Sequence, residues 1–257
     1  MLLELQNKIY KPFKPLKFDE KKHVYYWYGN RVPKSVSAKV HEHEVPFDEF
    51  KRLGNGKTLI EACAAKQSRL QGREVSVHEL RHTWQTTCKT GCELGTETHD
   101  YLEYYNGVKI PDTPQKVAGV KFLTKILSET FINKEGKLER RYEIIAKELR
   151  MYSIKYNFAG TADLILADKA LRTIIIADYK TNKDLFKTFG VLKTPFDFLD
   201  SHPYNKYQLQ LSYYQIIFEE MTGIKVSDRV LAYLKADGTF IDYHLEDFTQ
   251  DLKLYLN

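Results

Sequence analysis

The sequence of 257 residues lacks two features that are typical of secreted and membrane proteins. It has only three cysteines, which argues against a scaffold stabilised by disulfide bonds and favours reduced thiols. No apolar run approaches the ~20 residues that are needed to span a membrane. The first residues, MLLELQNKIYKPFK, contain a short apolar run and an early Glu4, which does not fit a signal peptide. We therefore expect an intracellular, cytoplasmic protein with no membrane partner.

The sequence also carries little excess charge. A net charge of +5 permits a nucleic-acid partner without requiring one. The composition, 43% hydrophobic and 28% charged, is that of an ordinary globular protein, and the length suffices for one large domain or a core with an added lobe. Tyrosine is abundant, with 18 residues. Aromatic rings can stack on nucleic-acid bases, although we expect most of them to fill the core.

The most informative stretch is GTADLILADKALRTIIIADYKTNK, residues 160–183. Two short apolar runs with a polar connection between them predict a β-hairpin in a buried sheet. Asp163 precedes the first run, and Asp178 and Lys180 follow the second on one face, because side chains alternate along a strand. In an antiparallel pair, the start of one strand lies beside the end of its partner. We therefore expect Asp163 to lie close to Asp178 and Lys180.

Two carboxylates and an ammonium group at the end of an apolar sheet are costly to desolvate unless another group compensates them. A divalent cation does so, and Mg²⁺ in particular takes carboxylate and carbonyl oxygens as ligands. An ion pair between Asp178 and Lys180 without a metal is the simpler interpretation of an isolated Asp-x-Lys pattern. The longer order of residues in this stretch favours the metal site.

The order Gly-Thr-Ala-Asp, short hairpin, apolar strand, Asp-Tyr-Lys-Thr resembles the signature of the PD-(D/E)XK nuclease superfamily. Ala162 departs from the Pro of that signature, at a position where replacement is common. The resemblance implies an α/β fold in which helices flank a mixed central β-sheet, the restriction-endonuclease-like core. It also implies that Asp163 is the first acid of the site and that Asp178 and Lys180 belong to its second half.

A histidine upstream of this stretch indicates which members of the superfamily the sequence resembles most. Residues 95–99 read Gly-Thr-Glu-Thr-His, and we expect Thr96 to cap a helix that carries His99 and, on the same face, Glu103. A lone helical histidine is usually packed or solvated. The pattern G-T-x-x-H, however, is similar to that of the RecB-type nucleases and the mitochondrial genome maintenance exonucleases, in which the histidine is a metal ligand. The resemblance implies this role for His99, whereas we expect Glu103 to orient or to pack.

Three further residues are candidates for supporting roles. Glu148 is the one acid in the middle of a predicted strand; it could pair with Lys147 or Arg150, or it could face the metal site, as a glutamate near this strand can in the resembling family. Gln210 and Tyr214 lie four residues apart on one face of a predicted helix. They resemble the Gln-x-x-x-Tyr motif of the RecB-type pattern, which supports the active site or contacts the substrate backbone.

We expect residues 1–92 to form a mainly helical N-terminal lobe and residues 93–257 to form the nuclease core. The elements predicted for the lobe are a β-hairpin over residues 18–40 that turns at Gly29-Asn30 and returns over 32–40, helices over 48–53 and 57–70, and a helix that begins at Ser76. His41-Glu42-His43-Glu44 resembles a metal site, but we expect its alternating side chains to point into solvent.

Residues 183–206 are predicted to be irregular, and such long loops tend to be functional. The segment contains Phe186, Phe189, Phe196 and Phe198. Its aromatic and basic residues suit a single strand of nucleic acid. It could equally be a flap that covers the protein with a small apolar cluster of its own. Both interpretations stay open on the sequence alone.

The resemblance implies metal-assisted phosphodiester hydrolysis. The ligands of Mg²⁺ or Mn²⁺ would be His99, Asp163, Asp178 and the backbone carbonyl of Tyr179. Lys180 would position the attacking water or stabilise developing charge. Some nucleases of the superfamily hold an iron–sulfur cluster that is closed by C-terminal cysteines. No cysteine follows Cys92 here, so we expect no cluster.

The expected partner is DNA, and the expected activity is a 5′ to 3′ exonuclease on single-stranded ends in DNA repair, recombination or replication. A structure-specific endonuclease with the same site is an alternative. A nucleic-acid-binding module that has kept the fold without catalysis is another. The sequence identifies no protein partner.

Overall fold

The computed structural model describes residues 2–188 and 190–257, so Phe189 lies outside the described residues. The chain divides into two compact units, one formed by Val45–Glu97 and the other by Met1–Glu44 together with Thr98–Asn257. The predicted boundary after residue 92 differs from this division. Residues of the first 44 pair with the central sheet and therefore belong to the larger unit.

Helices and strands occur in runs along the described chain. In chain order they are α1 (Leu2–Tyr10), a 3₁₀ helix (Lys11–Phe13), β1 (Leu16–Asp19), β2 (Val24–Trp27), β3 (Asn30–Arg31), β4 (Lys34–Ser35), α2 (Val36–Glu42), α3 (Leu59–Gln71), α4 (Val77–Glu103), α5 (Pro114–Ser128), β5 (Thr130–Ile132), β6 (Leu138–Arg140), β7 (Tyr142–Ser153), β8 (Phe158–Asp168), β9 (Thr173–Lys180), α6 (Pro203–Thr222), β10 (Val226–Leu234), β11 (Phe240–His244) and α7 (Thr249–Leu256). None of the helices in this described part is both long and apolar enough to cross a membrane.

The larger unit is built on a mixed sheet. β11, β10, β9 and β8 are neighbours in that order, and β7 pairs with the far edge of β8. The β9–β10 pair is parallel, whereas β7–β8, β8–β9 and β10–β11 are antiparallel. The edge of β8 that pairs with β9 also pairs, near its start, with the short parallel strand β4. The predicted α/β fold with a mixed central sheet is confirmed.

Helices cover both faces of this sheet because its central strands are apolar on both sides. Ile165 and Ile176 pack into a core with residues of α1, α2, α6 and α7. Leu164 and Ile175 point the other way and pack with α5 and the C-terminal end of α4. The alternating direction of neighbouring side chains fills two cores from the same strands. The predicted hairpin of β8 and β9 is confirmed.

The N-terminal prediction is partly wrong. The expected return strand over residues 32–40 is mostly helix α2, because the Ser35 side chain accepts a hydrogen bond from the Ala38 amide and caps a helix there. The turn before it is centred on Tyr28-Gly29, not on Gly29-Asn30. Both of these residues have positive φ, +47° and +81°, as a two-residue type I′ hairpin turn requires.

The smaller unit, Val45–Glu97, is mainly helical. Thr58 and Glu61 form a capping box at the start of α3, and Ile60, Val75 and Leu80 belong to a small apolar cluster. The helix predicted over 48–53 does not form. The cap predicted at Thr96 is also wrong, because α4 runs through that residue without a break.

Candidate metal centre

The strands β8 and β9 separate at Asp163. Their last regular pair is Leu164 with Ala177, so Asp163 and Asp178 follow on opposite strands. The backbone amide of Tyr179 donates a 2.7 Å hydrogen bond to Oδ2 of Asp163. If β8 and β9 stayed paired, a backbone carbonyl of β8 would accept the hydrogen bond from this amide. Here the side-chain carboxylate of Asp163 accepts it instead. This contact fixes the Asp163 carboxylate at the point where the strands diverge, and the predicted proximity of Asp163 and Asp178 is confirmed.

His99 reaches this point from the C-terminal part of α4. Its Nε2 lies 2.9 Å from the carbonyl oxygen of Tyr179, and its Nδ1 lies 3.2 Å from Oδ2 of Asp163. Both ring nitrogens therefore face oxygen acceptors. Burial by itself lowers the pKa of His99, but the Asp163 carboxylate outweighs burial and raises the pKa to about 9. The structure thus brings together three of the predicted metal-binding groups.

Glu148 joins them from β7. Its Oε1 is 4.0 Å from Nδ1 of His99, and ligand atoms of His99, Glu148 and Asp163 all lie within 4.8 Å of one another. The φ of Glu148 is +47°, an uncommon conformation for a residue other than glycine and one that occurs preferentially at functional sites. Burial, with the nearby Asp163 charge, raises the pKa of Glu148 to about 8. Of the two interpretations of Glu148, the structure matches the one that faces the site.

Glu148 does not form the expected alternative ion pairs with Lys147 or Arg150. The Lys147 ammonium instead donates to the backbone carbonyls of Leu102, Glu103 and Tyr105, at 2.8, 3.0 and 3.1 Å. The Leu102 and Glu103 carbonyls lie at the C-terminal end of α4, where a helix leaves its last carbonyls without the usual intrahelical donors, and Tyr105 lies two residues beyond that end. Arg150 pairs with Glu20 at 2.7 Å. Lys147 therefore ties the helix that carries His99 to the strand that carries Glu148.

Asp178 and Lys180 form a buried ion pair beside this group. Burial, then repulsion by Asp163, raises the pKa of Asp178 to about 6. Burial alone lowers the pKa of Lys180, but the Asp178 carboxylate outweighs it and holds that pKa above its ordinary value. The Lys180 ammonium also lies 4.7 Å from the centre of the Tyr207 ring, a cation–π contact. Asp178 itself is not a member of the cluster of His99, Glu148 and Asp163.

Gln210 and Tyr214 lie on α6, where the Gln210 amide donates a 2.7 Å hydrogen bond to the Tyr214 hydroxyl. Tyr214 packs against β8 at Gly160. A Cβ on Gly160 would lie only 2.6 Å from a ring carbon of Tyr214, so glycine is required for this approach. Glu103 is not a member of the cluster around His99; its backbone carbonyl accepts one of the bonds from Lys147.

The roles of two residues of this region, Tyr207 and Lys147, were not predicted from the sequence. Tyr207 lies three residues before Gln210 and seven before Tyr214, so the helical spacing could have placed it on the same face. No sequence pattern indicated the role of Lys147. Its partners lie more than forty residues away along the chain, and only the tertiary structure brings them together.

The other candidate motifs lie elsewhere. His43 is buried, with its Nε2 at 2.8 Å from the Tyr213 hydroxyl, and His41 pairs with Glu44. The expectation that all these side chains point into solvent is wrong for His43, whose ring packs among aromatic side chains.

In the irregular segment before α6, Phe196 is buried whereas Phe198 is exposed. That segment both contributes to the core and presents an aromatic side chain outward.

No protein-family model matches this sequence, and no curated protein matches it. Among solved structures, one titled "Crystal structure of SSO0001" matches with 14% sequence identity and a TM-score of 0.32, over 82% of this chain and 75% of that chain. A likeness at that TM-score carries no weight for the fold or activity of this chain. The proposal below therefore depends on the site itself.

Proposed function

We propose that this protein is a metal-dependent nuclease of the PD-(D/E)XK type. The observation that carries the proposal is the convergence of His99, Glu148 and Asp163, with ligand atoms within 4.8 Å of one another. A buried Asp178–Lys180 pair adjoins this group on the next strand. An apolar sheet has no structural need for three carboxylates and a histidine at one point, because each is costly to bury.

The donor set fits Mg²⁺ or Mn²⁺. Carboxylate and carbonyl oxygens with one imidazole suit these cations, whereas thiolates, which favour softer metals, are absent from the cluster. Mutual repulsion of the carboxylates also contributes to the raised pKa values of Glu148 and Asp178, and a bound cation would relieve it. His99, Glu148, Asp163 and the Tyr179 carbonyl would hold the ion, with Asp178 at its edge.

A bound cation of this kind polarises a phosphoryl oxygen and lowers the pKa of the attacking water. The protein residues have separate tasks. The Tyr179 amide fixes the Asp163 carboxylate, and Lys147 fixes the helix of His99. Lys180 keeps its proton because its pKa is raised, so it acts as a cation that stabilises developing negative charge rather than as a general base.

The proposed substrate is DNA, cleaved from single-stranded ends in the 5′ to 3′ direction. The irregular segment before α6 supports this choice, because Phe186 and Phe198 expose aromatic rings that could stack on bases. An intracellular location belongs to the same proposal, and three free thiols are compatible with it.

The test is digestion of an end-labelled single-stranded oligonucleotide with Mn²⁺ or Mg²⁺ and with EDTA. We expect cleavage by the wild-type protein that requires the metal. Asp163→Asn should abolish cleavage without unfolding the protein, because the amide oxygen still accepts the Tyr179 hydrogen bond while the negative charge is lost. Asp251→Asn, at an exposed position on α7, makes the same change away from the site and from the irregular segment; this control should cleave normally. If the wild-type protein binds the oligonucleotide but never cleaves it, the protein is a binding module and the proposal is wrong.

A further inference from the structure

A row of three side chains crosses the outer face of the small N-terminal sheet. In this sheet β1 pairs with β2 and β2 with β3, and the register places Lys17 opposite Tyr26 and Tyr26 opposite Arg31. Their neighbours Leu16 and Trp27 face the opposite way, toward the core. Since side chains alternate along each strand, Lys17, Tyr26 and Arg31 share the solvent face. We call these three residues the outer row.

The chemistry of the outer row suits a polyanion with flat groups. Lys17 and Arg31 are exposed, and neither forms an ion pair or a side-chain hydrogen bond within the described part of the chain. They flank the partly buried ring of Tyr26 from strands about 10 Å apart, two strand spacings. A base can stack on such a ring while long basic side chains on both sides reach phosphates.

Most of the net positive charge of the protein lies in residues 1–44, the segment that contains the outer row. Residues 1–44 contain nine Lys and Arg against five Asp and Glu, a net charge of +4 out of the +5 of the full chain. The remaining residues are thus nearly neutral in sum. A strand of nucleic acid would be attracted to the part of the chain that contains the outer row.

The small sheet that carries the outer row contacts, through its other face, the strand of the candidate metal centre. Tyr25, the neighbour of Tyr26, forms a 2.8 Å hydrogen bond between its hydroxyl and Oγ1 of Thr161 on β8. Thr161 precedes Asp163 by two residues, about 7 Å along the strand. Tyr26 points to the opposite face from Tyr25, so a strand bound to the outer row would reach Asp163 by passing over an edge of the small sheet.

We propose that the outer row of Lys17, Tyr26 and Arg31 is a binding platform for a single strand of nucleic acid. A base stacks on Tyr26, and phosphates on either side contact Lys17 and Arg31. The identity of the ligand rests on the proposed nuclease function, whereas the binding itself needs no metal. The platform holds the substrate while the metal centre acts on it.

The test is fluorescence anisotropy with a labelled 20-nucleotide single-stranded DNA in EDTA, where no cleavage occurs. Lys17→Gln with Arg31→Gln should raise Kd at least about tenfold at low salt and reduce the slope of log K against log salt by about 1.4, for two lost phosphate contacts. Tyr26→Ala should raise Kd at least about fivefold, and Tyr26→Phe should bind normally because the ring is kept.

The matched control is Lys169→Gln with Arg172→Gln, in the β8–β9 turn beyond the far end of the sheet. It removes the same two charge types from exposed or partly exposed positions. Binding within about twofold of wild type is expected. Equal weakening by the control pair would mean that only net charge matters and would overturn the platform. So would normal binding by Tyr26→Ala.

A second measurement keeps the two proposals apart. If the wild-type protein cleaves DNA and the outer-row variants bind and cleave normally, the platform is wrong and the nuclease proposal stands. If the wild-type protein never cleaves but the outer-row variants lose binding, the platform stands and the nuclease proposal is wrong. A duplex of the same sequence should bind more weakly than the single strand, because its bases are not free to stack on Tyr26.

Discussion

Crowding of ionisable groups around Asp163 determines which side chains carry protons in the metal-free protein. Asp163 has a lowered pKa, because His99 and Lys180 together outweigh the effect of burial. Its negative charge in turn raises the pKa of His99 to about 9 and adds to the burial that raises the pKa of Glu148 to about 8. At neutral pH Asp163 is therefore ionised, while its neighbours His99 and Glu148 are protonated. These interacting groups titrate as a set.

This protonation predicts a steep dependence of metal binding on pH. Metal ligands must lose their protons, and His99 and Glu148 both hold one at pH 6 because their pKa values are higher than that. We expect the affinity for Mn²⁺ to rise by more than about tenfold per pH unit between pH 6 and 8. Calorimetry in buffers of different ionisation enthalpy measures both the affinity and the protons released.

The control for this prediction is Glu148→Gln, which has no proton to release at that position. At pH 8 the variant should bind Mn²⁺ more weakly than the wild-type protein does. For each pH unit, its Mn²⁺ affinity should rise by about tenfold less than that of the wild type. An affinity for Mn²⁺ that stays constant between pH 6 and 8 in the wild-type protein would contradict the prediction.

Lys180 should affect the rate of cleavage more than the binding of metal. Its ammonium pairs with Asp178 and lies against the Tyr207 ring, outside the cluster of ligand atoms. We expect Lys180→Ala to lower kcat by about 10²–10³ and to change the Mn²⁺ affinity by less than about tenfold, because interactions made only in the transition state affect the rate. Single-turnover kinetics at saturating Mn²⁺ separate the two effects. A variant that loses metal but keeps its rate at saturation would refute this role.

At the scale of elements, the site depends on contacts between the ends of secondary structures. β8 and β9 separate at Asp163, and the C-terminal end of α4 is tied to β7 through Lys147. The first arrangement is fixed by the bond from the Tyr179 amide to the Asp163 carboxylate, a group that would bind the metal, whereas the Lys147 ammonium would not bind it. Both contacts fix the positions of side chains that would bind the metal.

We expect Lys147→Met to weaken Mn²⁺ binding by about tenfold, although Lys147 is not a ligand. The variant removes the Lys147 donor from three backbone carbonyls at or just beyond the end of α4, of which Leu102 alone keeps a 3.4 Å bond from the Tyr105 amide. His99 is then held less firmly, and the free energy of unfolding should fall by about 2 kcal/mol. Calorimetry and urea denaturation measure these changes.

A double-mutant comparison shows whether Lys147 acts through the helix of His99. In a His99→Gln background, Lys147→Met should cause no further loss of Mn²⁺ affinity but the same loss of stability. Lys147→Arg, which keeps donors for the carbonyls, should come closer to the wild type. An equal loss of affinity in both backgrounds would show that Lys147 acts independently of His99.

The elements differed in how well the sequence predicted them. The strands β7 to β9 and the helix α6 follow regular apolar periodicity and formed where they were expected, although α6 begins at Pro203, inside the segment 183–206 that was predicted to be irregular. The return strand over 32–40 failed because the Ser35 cap outweighed the β-propensity of its valines. The break expected at Thr96 failed because a residue that can cap a helix is also tolerated inside one.

At the scale of the whole molecule, charge is distributed unevenly, with most of the net charge in the first 44 residues. The proposed substrate must therefore gain much of its affinity from a limited region and from stacking. Binding of single-stranded DNA should weaken as salt is raised but should persist at moderate salt, since a few phosphate contacts give a shallow dependence.

The proposed exonuclease should require an end. We expect a linear single-stranded DNA to be degraded at least about tenfold faster than a closed circle of the same length, with a 5′ label released before a 3′ label. The measurement is gel analysis of both substrates with Mn²⁺ under identical conditions. Equal rates on the circle and the linear strand would instead indicate an endonuclease. Earlier release of the 3′ label would reverse the polarity and leave the proposed metal chemistry unchanged.

The sequence by itself determined the hairpin of β8 and β9 and the proximity of Asp163 to Asp178 and Lys180, because alternation along a strand and antiparallel pairing are local geometry. It also placed His99 on a helix. Only the tertiary structure decided between the two interpretations of Glu148, since its φ and its neighbours depend on how β7 meets α4.

The tertiary structure alone also revealed the tie between Lys147 and α4, and the pairing of β4 with β8. Both join segments that are distant in the chain. Such contacts depend on how complete elements pack, and no periodicity of a single segment encodes them.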